Sequence, residues 1–251
     1  MFEPVRRVAA EHRERLMLGA VLTLSSCASL ALLAFRFYYS GTAAYDGMVW
    51  NLFLAWIPLW LAVGIWGLSR AGRGAGGALW VLAVLWLLFF PNAPYLLSEF
   101  IHLSPEHKLF ERPIHALAAV SPGRPSPVWF DAIMILSFAW TGLLLAFVSL
   151  HLVQQVVRER LGAAWGWATV VVVLGLSGFG VSLGRFQRWN SWDLFSRPMT
   201  LLSDVLGRLF NPLDHPRTTA VTILLWSFLL LAYLSVVALA SLRPARAVSA
   251  L

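Results

Sequence analysis

A carboxylate and an imidazole stand three residues apart at Glu99 and His102. If this stretch is helical, the two share a face. Side chains of these types at that spacing can form an acid/base pair or bind a metal together. Asp131, directly after Trp129 and Phe130, supplies a further carboxylate, and Asp193 another. Glu99, His102, Asp131 and Asp193 are therefore the candidate catalytic residues. Glu99, His102 and Asp131 are the candidates for holding a divalent metal. Arg185 and Arg188 are also three apart, and two neighbouring guanidinium forks suit a phosphate or a pair of carboxylates. With Asn92, Asn190 and Trp189 they make up the candidate substrate-binding set.

Each of these residues also has a plainer account. An acid such as Asp131 near a helix N-terminus is favoured by the macrodipole. Asn92 lies between Pro91 and Pro94, where its amide can bond a carbonyl freed by a kink. Trp189 and Trp192 fit an interfacial aromatic belt. Asn190 is placed to cap a helix with Asp193 in its first turn. Arg185 and Arg188 have Glu99, Asp131 and Asp193 as natural partners, and a buried ion-pair network of that kind would hold helix ends together. His107 and His115 read as solvated loop residues.

The elements that must position these residues are set by composition. Hydrophobic residues are 59% of the 251-residue chain, charged residues only 12%, and mean hydropathy is +0.72. Soluble domains carry about a quarter charged residues, so the composition excludes an ordinary soluble enzyme. Disorder requires the opposite balance. Six runs are long and apolar enough to span a bilayer, at 16–35, 50–68, 78–97, 130–152, 165–183 and 220–241. They predict an all-α polytopic bundle, a single membrane domain over 1–251. No alternation of apolar and polar residues suggests a β-barrel.

The third span is irregular. Residues 78–90 give about 20 Å of helix, too short for a hydrocarbon core of about 30 Å. Pro91 and Pro94 then remove two amide donors and turn their preceding residues from helical geometry. The spacing predicts a broken span, with Glu99 and His102 beyond the break. Loop 98–129 contains a turn-rich stretch at 121–127. Loop 184–219 is more ordered: Leu201, Leu202, Val205, Leu206, Leu209 and Phe210 share a face opposite Ser203, Asp204 and Arg208. That pattern predicts a short helix lying in the membrane interface. Gly175, Gly178, Gly180 and Gly184 form a small-residue strip for close helix contact.

The net charge is +7, and 18 of the 19 basic residues are arginine. In a membrane protein this reflects loop topology and lipid headgroups, not nucleic-acid binding. Arg6, Arg7, Arg13 and Arg15 precede an apolar run that continues past Cys27, so the first segment reads as an uncleaved anchor. With both termini cytoplasmic, the short inner segments hold ten basic residues and the long outer ones nine, Arg36 in the first outer loop included. The density favours that orientation. The five arginines of loop 184–219 run against it, and so break the rule or have another job. The single Cys27 excludes an intramolecular disulfide and a cysteine-based zinc cluster. There is no haem signature and no nucleotide loop of the Gly-x-x-x-x-Gly-Lys type.

Three stretches carry a resemblance. They are Leu88-Phe89-Phe90-Pro91-Asn92-Ala93-Pro94-Tyr95 through His102-Leu103, then Trp129-Phe130-Asp131 with Ser137-Phe138-Ala139-Trp140-Thr141-Gly142, and then Gly184-Arg185-Phe186 with Arg188-Trp189-Asn190-Ser191-Trp192-Asp193. Together they resemble a family of bacterial integral membrane proteins known as domain of unknown function 1361, over roughly spans two to six. The family pattern has Asp where this chain has Glu99. The resemblance implies a bacterial cytoplasmic membrane and a compact bundle, and supplies no activity.

Three functions fit. In the first, the chain is a membrane-embedded enzyme. Its polar cluster hydrolyses, or transfers a group on, a lipid-linked or anionic substrate at the outer face. In the second, it is a non-catalytic assembly or scaffold protein locked by ion pairs. In the third, it is a small-substrate transporter or channel, supported by the broken third span. The lack of charged residues in the middle and inner halves of the spans argues against the third. Membrane lipid is the expected partner in every case.

Overall fold

The computed structural model describes residues 3–71, 76–103, 128–189 and 193–242. The chain is all-α. Its elements are α1 (Glu3–Ser40), α2 (Gly47–Arg70), α3 (Gly76–Phe89), α4 (Asn92–Tyr95), a 3-10 turn (Leu96–Leu103), α5 (Val128–Leu161), α6 (Ala163–Phe186), α7 (Asp193–Ser196), α8 (Pro198–Phe210) and α9 (Pro216–Ser241). Among the described residues, six segments are long and apolar enough to cross a membrane: Leu16–Ser40, Gly47–Arg70, Gly76–Leu103, Val128–Leu161, Ala163–Phe186 and Pro216–Ser241. These are the six spans expected from sequence, mostly a few residues longer. The largest extensions are α5, which runs to Leu161, and the third span, which runs to Leu103; α1 runs through Arg36 to Ser40.

The chain divides into two compact units, Met1–Ser149 and Leu150–Leu251, and α5 passes from the first into the second. In the first unit, α2 packs along α3, α4 and the 3-10 turn. Hydroxyl groups join α1 to α5, with Ser25 and Thr141 2.6 Å apart. The indole N–H of Trp86 donates to Ser149 at 2.7 Å, and Ser149 donates to the Pro58 carbonyl at 2.9 Å. Helix–helix contact in a bilayer relies on such packing and hydroxyl bonds, since lipid tails are as apolar as leucine.

The break in the third span falls at the prolines. Helix α3 stops at Phe89, and the chain restarts as the four-residue α4. The Asn92 amide donates to the Phe89 carbonyl at 2.9 Å, which meets part of the hydrogen-bonding need at the interrupted ladder. The broken segment lies hard against α5 at Gly142, where an added Cβ would overlap the Ala93 carbonyl and crowd Leu96. Only glycine allows that approach.

In the second unit, α9 packs along α6. A Cβ added at Gly178 would meet the Thr222 carbonyl at 2.9 Å, and one at Gly175 would touch Trp226. The indole N–H of Trp226 donates to the Val171 carbonyl at 3.0 Å. Two members of the glycine strip thus serve close helix packing. Tyr233 of α9 donates to Gln154 of α5 at 2.6 Å. Gly162, at φ 98°, makes the one-residue turn between α5 and α6, a conformation that L side chains avoid.

Candidate functional site

At one end of the first unit α1 finishes, α2 and α5 begin, and the broken third span ends. Polar side chains meet there in two groups.

The first group is built on Arg36. Helix α1 does not end before this residue, as the sequence pattern suggests, but carries it inward, where it is 1% exposed. Its Nε donates to Asp131 Oδ1 at 3.0 Å, and both side chains are withdrawn from solvent. Its Nη1 donates to the Thr42 hydroxyl at 3.1 Å and to the Ala44 carbonyl at 3.5 Å. The guanidinium carbon sits 4.5 Å from the Tyr45 ring centroid. Asp131 occupies the first turn of α5, where the helix dipole adds to the attraction of the arginine.

The second group is built on Glu99, which is 3% exposed. Its Oε1 accepts from the Asn51 amide at 2.8 Å, and its Oε2 lies 3.2 Å from His102 Nε2. The His102 side chain keeps 32% of its surface exposed. The pairing follows from local structure: in a 3-10 helix, residues i and i+3 eclipse. The expected acid–imidazole pair is therefore present, on a tighter helix than the α-helical reading assumed.

Tyr45 touches both groups. Its hydroxyl donates to the His102 carbonyl at 3.2 Å, and its ring meets the imidazole edge-on at 5.8 Å. Its φ is 72°, an outlier for a bulky residue. Contacts to Arg36 on one side and His102 on the other hold it there.

These contacts change the role of several expected residues. Asp131 is paired with Arg36 of α1, a partner the sequence did not suggest. Glu99 and His102 come together as a pair. Among the described residues, no three His, Cys, Asp or Glu side chains group closely enough to hold a metal ion. The trio Glu99, His102 and Asp131 is thus not assembled as a ligand set. Asn92 contributes its amide to the break in the third span.

In the second unit, Arg185 and Arg188 do not share a helical face. Helix α6 ends at Phe186, and Arg188 takes a left-handed conformation at φ 60°. Trp189 donates its indole N–H to Asp204 Oδ2 at 2.8 Å, and the Arg197 guanidinium stacks over its ring at 5.5 Å. Asp193, at the start of α7, accepts from Arg197 at 3.1 Å and from Ser196 at 3.2 Å. Asp204 also accepts from Arg208 Nε at 2.9 Å, and Arg208 donates onward to Thr218 at 3.1 Å. Partial burial pushes the Asp204 carboxyl up. Hydrogen bonds from Arg208 and Trp189, with the charges of Arg208 and His215, more than offset this, so it titrates below its ordinary value. Asn190, Trp192, His107, His115 and the stretch 121–127 lie outside the described residues.

Sequence reasoning missed Arg36 and Tyr45 as site residues and gave Asn51 no partner. The available signal was weak: a lone arginine closing an apolar run, and an asparagine one turn inside the next.

The model of a family described as a protein of unknown function (DUF1361) matches residues 50–232. No curated protein and no solved structure matches the chain.

Proposed function

The chain belongs to the DUF1361 family, and from that premise we propose that this multi-pass membrane protein is an enzyme. In this reading the Glu99–His102 pair performs acid/base chemistry on a substrate carried by the membrane. One observation carries the reading. A buried carboxylate, fixed on one oxygen by Asn51, holds a partly exposed imidazole by the other. A carboxylate so placed fixes the orientation of the ring, which is what a proton-transferring histidine needs. The reaction class is hydrolysis or group transfer, with His102 giving or taking the proton and Glu99 and Asn51 positioning it. If both termini are cytoplasmic, this end of the protein faces outward, and a lipid-linked or anionic substrate would reach it from the outer leaflet.

The test is a lipid analysis of bacterial membranes producing wild-type protein, Glu99→Gln or His102→Gln at matched abundance. We expect wild type to change the level of at least one lipid species and both variants to leave it at the vector level. A wild-type profile equal to the vector, or variants equal to wild type, would overturn the reading.

A second reading, the scaffold, is favoured by Arg36 and Asp131. Their direct pairing out of solvent fits a lock between the ends of α1 and α5. The two readings are compatible if the lock supports the pair beside it.

A further inference from the structure

Loop 184–219 holds five arginines and three aspartates, an excess of positive charge between two spans that the proposed chemistry does not use. Two arginines are committed to acids: Arg197 to Asp193 and Arg208 to Asp204. Arg188 and Arg217 are exposed, and among the described residues neither is paired with an acid. Arg217 instead lays its guanidinium over Phe186 at 4.4 Å.

Beside these cations lies α8. It is 13 residues long, about 20 Å, and buries none of its side chains. Its polar face is tied down through Asp204 to Trp189 and through Arg208 to Thr218. Its apolar face is left uncovered: Met199 is 78% exposed, Leu202 51%, Leu206 40%, Leu209 54% and Phe210 74%. Because the polar face is fixed, the helix cannot roll to bury the other. The helix is tethered between the ends of two spans, α6 and α9, so that face sits at the depth of the membrane surface.

We propose that α8 with Arg188 and Arg217 forms a docking platform for anionic lipid. The apolar face enters the boundary between headgroups and acyl chains, and the two arginines hold lipid phosphates. The chemistry matches on both counts. An amphipathic helix with basic flanks lies in the interface plane, and each arginine near an anionic surface adds its own attraction. Arginine suits phosphate because its planar fork binds two oxygens at once. The platform gives the arginine-rich loop a role that topology does not, and it stands apart from the Glu99–His102 chemistry.

The test uses full-length protein in phosphatidylcholine bilayers with trace spin-labelled phosphatidylglycerol or spin-labelled phosphatidylcholine. Electron spin resonance reads the relative association of each with the protein. We expect a preference for phosphatidylglycerol that falls about fivefold for each arginine removed in Arg188→Gln and Arg217→Gln. Equal association of the two lipids with wild type, or a preference unchanged in the double variant, would overturn the proposal. A second arm adds inorganic phosphate at matched ionic strength. If phosphate removes the preference where chloride does not, the site takes free phosphate and the lipid assignment fails.

Discussion

The ion pair Arg36–Asp131 in the first unit and Arg208–Asp204 in the second have nearly the same geometry, 3.0 and 2.9 Å. Their surroundings differ. The first pair has side-chain exposures of 0% and 1%, the second 14% and 27%, and a third pair, Arg197–Asp193, leaves its arginine 66% exposed. Distance therefore does not rank them; desolvation does. A charge withdrawn from water cannot lose its partner cheaply, whereas an exposed one turns to solvent. The two units use the same residue types for different ends. The first spends them on fixing backbone and an acid–imidazole pair, and the second on fastening a surface helix.

The largest effect that would break this comparison is expected at Asp131. Asp131→Ala strands Arg36 in the interior and should cost about 3–5 kcal/mol, read as loss of folded protein or a large drop in melting temperature in detergent. The double variant Arg36→Leu/Asp131→Leu should recover most of it, because an apolar pair replaces a buried ion pair at little cost. Next is Gly142→Ala, whose methyl would overlap the Ala93 carbonyl. We expect about 1–3 kcal/mol of destabilisation from overpacking, measured by the same melt, since the broken segment carrying Glu99 must shift.

A smaller effect, with a defined pH signature, is expected at Asp204. Its folded-state titration lies below the ordinary value of 3.8, so its contribution is full above that value and is lost as pH falls through the lowered one. The melting-temperature difference between wild type and Asp204→Asn should be positive near neutrality and shrink toward zero in strong acid. A difference that grows on acidification would reverse the sign of the argument. The smallest effect is expected at Arg197→Gln, whose exposed pair should be worth about 0.2–1 kcal/mol. A loss as large as that of Asp131→Ala would mean that burial is not what separates the two regions.

Much of this architecture was legible in the sequence because membrane physics writes it in long runs. The six spans follow from apolar length, the break at Phe90 from two prolines, and the exposed face of α8 from its period. The Glu99–His102 pair was legible because its partners are three residues apart, within reach of local geometry. Arg36 and Asp131 are 95 positions apart, and nothing local marks them as partners. At the edge of an apolar run, an arginine looks the same whether it faces water or an aspartate. The shared face assumed for Arg185 and Arg188 failed for a related reason. Nothing in Gly184-Arg185-Phe186-Gln187-Arg188 announces that the helix stops at Phe186, because the residue that takes the left-handed turn is an arginine, not a glycine. Tyr45 likewise holds a glycine-like conformation only because tertiary contacts impose it.

The central claim is that one polar end of the first unit contains a structural lock and, beside it, a working acid–imidazole pair. It is tested most directly by measuring melting temperature and membrane lipid profile together for His102→Gln and Asp131→Asn. The account predicts that His102→Gln keeps a melting temperature close to wild type while the lipid change disappears, and that Asp131→Asn loses both. Unfolding of His102→Gln, or a lipid change that survives in it, would contradict the account.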